Sequence, residues 1–132
     1  MDKTTATQKP FSLKLSFTIE INQGDIDDIM CAALEDGICH WCSAAAVVGE
    51  YLGSHAHEQI SRGGKLMLQD AEDNIQYELT QDKFLKGLRL FLERGHSDLV
   101  NIKNESIDPC DFDSDCADRV VQLALFEEIV FC

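Results

Sequence analysis

In "FSLKLSFTIEI" apolar and polar residues alternate without a fault. Phe11, Leu13, Leu15, Phe17, Ile19 and Ile21 fall on one side, and Ser12, Lys14, Ser16, Thr18 and Glu20 on the other. A period of two over so long a run predicts a β-strand with one buried face. "NQG" interrupts it, and in "DIDDIMCAALEDG" the period becomes helical, with Ile26, Ile29, Met30, Ala33 and Leu34 forming the stripe. Asp25, Asp27 and Asp28 suit the positive N-terminal end of that helix, and Gly37 suits its C-terminal cap.

Beyond Gly37 the pattern is less regular. Ile38 to Cys42 and Ala44 to Leu52 read as strand or irregular core, with a helical reading of the alanine run left open. Lys65 to Gln69 and Ile75 to Leu79 are short strands joined by "DAEDN", a hairpin. Thr80 caps a helix whose stripe is Phe84, Leu85, Leu88, Phe91 and Leu92, and Gly95 stops it. His96 to Asp113 is polar and reads as a long loop. Asp113 or Ser114 then caps a last helix with Ala117, Val120, Val121, Ala124 and Leu125, and "EEIVF" reads as a short terminal strand. This order predicts an α+β fold: one domain over residues 11–132, mainly antiparallel sheet with about three helices, behind a loose tail at residues 1–10.

Charge changes the picture most. The 132 residues hold 24 acids against 11 Lys and Arg, a net charge of −13. The excess is concentrated in two stretches: Glu20 to Asp36, with Glu20, Asp25, Asp27, Asp28, Glu35 and Asp36 and no base, and Glu105 to Cys132, where Arg119 is the only base. Such a chain is poorly suited to nucleic acid, whose phosphates are met by clustered Lys and Arg. A basic protein is the natural partner. The start "MDKTTATQKP" has no apolar core of a leader, and no apolar run is long enough for a membrane span, so a cytoplasmic protein with no membrane partner is expected. In that reducing setting the six cysteines are expected as free thiols.

Cys39-His40-Trp41-Cys42 offers one zinc knuckle, two of the four ligands a structural site needs. The remaining pair is badly supplied. His55 and His57 are separated by one residue where zinc fingers use three to five, and Cys110 and Cys116 lie at the wrong spacing for a second knuckle. A redox pair needs its first cysteine at a helix N-terminus, whereas this one follows a helix-ending glycine. Asp111, Asp113 and Asp115 imitate the opening of a calcium loop, but Cys116 stands where its glycine belongs and Gln122 where its glutamate does. No metal and no cofactor are therefore expected.

"SRGGKL" is the remaining turn of interest. Gly63 and Gly64 offer backbone N–H groups, Arg62 a charged fork, and Trp41, Tyr51 or Tyr77 a surface for stacking. Trp41 itself, in the most apolar part of the chain, is expected to be buried against Ile26, Ile29, Met30 and Ala33. No phosphate-loop, zinc-protease, nucleophile-elbow or dinucleotide fingerprint occurs, so no enzyme activity is expected and no catalytic residue is assigned.

Taken together, "GDIDDIMCAALEDGICHWC", "VVGEYLG", "QISRGGKL", "YELTQDKFLKGL" and "VVQLALFEEIVF" resemble a family of small uncharacterised proteins carried by phages and mobile elements of gut-associated Gram-positive bacteria. The resemblance covers roughly Ile19 to Phe131. It carries no catalytic residue and no ligand. It implies a context in which small accessory proteins are often non-enzymatic inhibitors of host systems, anti-CRISPR proteins and nucleotide sponges among them.

Two functions are expected from these residues. The first is an acidic binding protein that blocks a basic, nucleic-acid-binding host factor through Asp25, Asp27, Asp28, Asp111, Asp113 and Asp115. The second is a binder of an anionic nucleotide through Trp41, Arg62, Gly63 and Gly64.

Overall fold

The computed structural model describes residues 9–101, 103–108 and 112–132. It is an α+β domain with three α-helices and two antiparallel sheets, as the pattern predicts. Helix α1, Gln23–Ala32, starts at Asn22, whose side chain accepts the Asp25 N–H at 2.8 Å while the Asp25 carboxylate accepts the Asn22 N–H at 3.1 Å. This reciprocal cap satisfies two N–H groups that have no partner within the helix. The helix does not stop at Ala32 but widens into a π turn, Ala33–Gly37.

The main sheet has the order β1-β2-β3, with β1 at Cys42–Val48, β2 at Lys65–Asp70 and β3 at Gln76–Leu79. Val48 pairs with Lys65 and Ala45 with Leu68, and the register slips by a bulge between Cys42 and Ala44. In β2 the inward residues Leu66, Leu68 and Asp70 are buried while Lys65 is exposed, the alternation expected of a sheet with one covered face. The cover is helical. Helix α2, Gln81–Glu93, is capped by Thr80, and helix α3, Ser114–Phe126, by Asp113. The two pack closely enough that a Cβ on Gly87 would lie 2.5 Å from the Ala124 nitrogen and the Val120 carbonyl oxygen. Phe84, Leu88 and Phe91 of α2, Val120, Val121 and Ala124 of α3, and Ile26, Ile29 and Met30 of α1 share one core with Leu66, Leu68 and Leu79 of the sheet.

Three expectations need correction. Residues 11–21 form no strand, and their apolar side is largely in solvent, with Phe11 102% and Leu13 87% exposed; only Ile19 and Ile21 lean on the core. A period of two identifies a side, but a strand also needs a neighbour. The "EEIVF" end is not a strand either, because the buried side chain of Gln122 takes its backbone amides: Gln122 Oε1 accepts from Val130 N at 2.9 Å and from Phe131 N at 2.8 Å. Thirdly, the polar stretch from His96 is not one loop. It holds a 3-10 turn, Ser97–Leu99, and a small hairpin of β4, Val100–Asn101, with β5, Ser106–Ile107. Residues 1–8 of the expected tail lie outside the described residues.

Candidate functional site

The acidic segments, far apart in sequence, meet at Gly37. A Cβ there would collide with the Ser114 carbonyl oxygen and lie 3.2 Å from the Asp118 nitrogen, so the end of the π turn sits directly on the first turn of α3. Glu35 and Asp36 immediately precede Gly37, and Asp113 and Asp115 flank Ser114; all four are exposed. The contact therefore gathers four carboxylates from the two base-poor stretches on adjoining surface. Asp28 extends the surface along α1. Burial pushes the Cys31 thiol above its ordinary value, its bond to Glu35 adds to this, and the negative charges of Glu35 and Asp28 push in the same direction.

Of the acids singled out in the sequence, Asp28, Asp113 and Asp115 belong to this region. Asp113 also caps α3: its carboxylate accepts the Cys116 N–H at 2.8 Å, which holds its own pKa below the ordinary value. Asp25 is engaged in the cap of α1. Asp27 turns elsewhere, accepting the Ser61 hydroxyl at 2.5 Å and facing Arg62 at 3.7 Å. Asp111 lies outside the described residues. Glu35 and Asp36 were visible only as part of a charge excess, and nothing local in the sequence says that Gly37 abuts Ser114.

The nucleotide turn is organised differently from the expectation. Gly63 N donates to the Ile60 carbonyl at 3.1 Å and Gly64 N to the Gln59 carbonyl at 2.9 Å, so both amides have backbone partners. Gly64 is required by crowding, since a Cβ there would run into the Gln59 side chain. Gln59 is buried and ties the preceding loop together, accepting from Leu52 N at 3.0 Å and donating to the Glu50 carbonyl at 3.1 Å. Arg62 is directed to Asp27 and to the Glu58 carbonyl.

Trp41 is buried, 3% exposed, as expected. Its ring stacks on Phe131 at 4.8 Å and meets Phe126 edge-on at 6.2 Å. Its Nε1–H donates to Asp118 Oδ1 at 2.8 Å, while His40 Nε2 lies 2.9 Å from Asp118 Oδ2. Gln122 Nε2 donates to both carboxylate oxygens at 3.1 Å and to the Phe131 carbonyl at 2.9 Å. The buried carboxylate of Asp118 is thereby surrounded by donors, the condition for holding a charge away from water. His40 and Trp41 belong to this structural network, next to free thiols at Cys39 and Cys42. Half-burial pushes the Cys42 thiol up, opposite to what a redox cysteine needs.

His55, His57 and Glu58 bring one potential ligand atom each within 4.8 Å of one another, closer than the one-residue spacing of the histidines suggests. The imidazoles stack at 5.2 Å, and Glu58 Oε1 is already the acceptor for Ser54 N and His55 N. Among the described residues, no helix is long and apolar enough to cross a membrane. Comparison of the chain with protein-family models, with curated proteins and with solved structures gives no match.

Proposed function

We propose that this chain is a small acidic, non-enzymatic binding protein that docks on a basic protein partner. The observation that supports it is the Gly37–Ser114 contact, which sets Glu35 and Asp36 beside Asp113 and Asp115 on exposed surface. Carboxylates grouped on a rigid frame present a field like that of a phosphate backbone, and a groove lined with Lys and Arg is its electrostatic complement. The frame is rigid here because the close backbone approach leaves no side chain between the π turn and α3. The partner class proposed is a nucleic-acid-binding host factor, whose basic groove the acidic surface would occupy in place of nucleic acid. The family that the sequence resembles supplies a fitting context, inhibition of a host system.

Capture from a host lysate at low salt tests the reading, with Glu35→Lys, Asp36→Lys and Asp115→Lys combined as the control and Asp113 left intact as the helix cap. A basic protein that is retained by the parent, released by added duplex DNA or by salt, and lost with the triple variant is the expected result. Retention unaffected by DNA, salt and the triple variant would refute it.

A further inference from the structure

We infer that residues 11–21 are a pairing strand whose partner is the same segment of a second copy, the two running antiparallel about a two-fold axis at Phe17. The segment has the alternation of a strand and carries no turn or bend, yet it lies in neither sheet. Its exposure is graded: Phe11 102%, Leu13 87%, Leu15 72% and Phe17 52%, after which Ile19 and Ile21 are partly buried against the core. An unpaired, apolar, extended stretch of this kind is a template for another strand.

The backbone says which edge is open. Glu20 N donates to the Glu105 carbonyl at 2.7 Å, beside the β4–β5 hairpin. In a pleated strand alternate residues direct their N–H and C=O to opposite edges, so a strand continued from Glu20 turns its even-numbered residues to the hairpin side and its odd-numbered ones away. A second strand added at the free edge therefore pairs odd residues with odd residues.

The charges say which register. The segment has one Lys and one Glu, Lys14 and Glu20, both exposed. Only a two-fold axis at Phe17 sets each Lys14 opposite the other copy's Glu20, and it does so twice. The same register puts Ser16 against Thr18, and the exposed Leu15 and Leu13 against the anchored Ile19 and Ile21. A two-fold interface has this self-complementary form, in which one residue meets another and the reverse pair meets again. Lys14 and Glu20 would fall at positions without paired backbone bonds, where side chains approach most closely. The apolar face so completed lies along a groove of about 570 Å³ between this segment and α2, lined by Leu15, Phe17, Ile19, Leu85, Leu88 and Leu92 among others. The segment itself carries no net charge, Lys14 balancing Glu20, so two copies of charge −13 meet there without a local excess of like charge.

Sedimentation equilibrium of the full chain, from micromolar to millimolar concentration at moderate salt, tests this. The parent is expected to dimerise reversibly. Lys14→Glu alone and Glu20→Lys alone each place two like-charged pairs in contact and should weaken the dimer by roughly tenfold or more. Lys14→Glu combined with Glu20→Lys restores both pairs and should restore dimerisation. Both changes are on solvent-exposed side chains, and circular dichroism of the three variants beside the parent is the check that the folds match. A parent that stays monomeric throughout, as it would if the strand served an unlike protein, overturns the inference; so does a dimer that the single changes leave intact or the double change fails to recover.

Discussion

Trp41 and Asp118, 77 positions apart, are joined by a hydrogen bond of 2.8 Å from the indole nitrogen to a buried carboxylate. The bond ties the entry to β1 to the middle of α3, and the same carboxylate meets His40 and Gln122. Asp118→Asn keeps the shape but replaces one acceptor oxygen by a donor, so a buried donor is left facing a donor. The expected loss is about 2–3 kcal/mol, read as a lower urea midpoint at unchanged slope. Trp41→Ala should cost more, about 3–5 kcal/mol, because it also empties the space between Phe126 and Phe131.

At Gly87 two effects oppose each other. Alanine is the better helix former by about 1 kcal/mol. Its methyl, however, would meet the α3 backbone at Val120 and Ala124, which cannot rotate away as a flexible side chain could. Overpacking of this kind costs about 1–3 kcal/mol, so Gly87→Ala should destabilise the protein despite its higher propensity. Equilibrium unfolding of the variant beside Gly24→Ala, which meets only the Asn22 side chain at 3.4 Å, separates the two effects.

Asp113 gives stability a dependence on acid. The N–H bond from Cys116 holds its pKa in the folded protein below its ordinary value of 3.8. A depressed carboxyl contributes stability that is present above the unfolded value and lost as pH falls through the folded one. Asp113→Asn keeps a capping oxygen without the titration. Its stability should fall less steeply than the parent's in acid below the usual carboxylate range, and Asp113→Ala should lose about 1 kcal/mol at neutral pH. Urea midpoints of the three proteins, measured down the acid limb, check this.

Alkylation should sort the cysteines by surroundings. Burial pushes up the thiols of Cys31, Cys42 and Cys116, and bonds to the Glu35 and Asp113 carboxylates reinforce this for the first and last. Cys39 and Cys132 are exposed. Peptide mapping after brief treatment with iodoacetamide at neutral pH should find Cys39 and Cys132 labelled ahead of Cys31, Cys42 and Cys116. Fastest labelling at Cys42 would instead show that burial does not govern the reactivity of its thiol.

The elements most legible in the sequence were those that carried their own ends. Thr80 and Gly95 frame α2, Asp113 frames α3, and the β2–β3 hairpin is bounded by its turn. Readings failed where the decisive partner was remote. The amides of Val130 and Phe131 satisfy themselves on Gln122, a residue of α3 that in sequence looks like any polar position on a helix. The alternation at Phe11 to Ile21 predicts a strand with one buried face, which only Ile19 and Ile21 supply in part, because alternation does not say where a neighbouring strand comes from. Half of the candidate site was likewise visible as charge. Its assembly was not, because Gly37 reads as a helix cap and gives no sign of the backbone it touches.

The π turn at Ala33–Gly37 has a consequence for the length of the chain. Five residues complete it where an α-helix would use fewer, which is how a helix absorbs a single inserted residue. Ala33 and Gly37 both face inward, and Glu35 and Asp36 both face out. Ile38 N donates to the Ala33 carbonyl five residues back at 3.0 Å, so a deletion of Glu35 would turn this into the ordinary four-residue bond of an α-helix and leave Ile38 above Ala33. Trp41 would then keep its place beside Asp118. The turn thus lets the chain carry one more acidic residue on its surface without disturbing the phase between the first third of the protein and the rest.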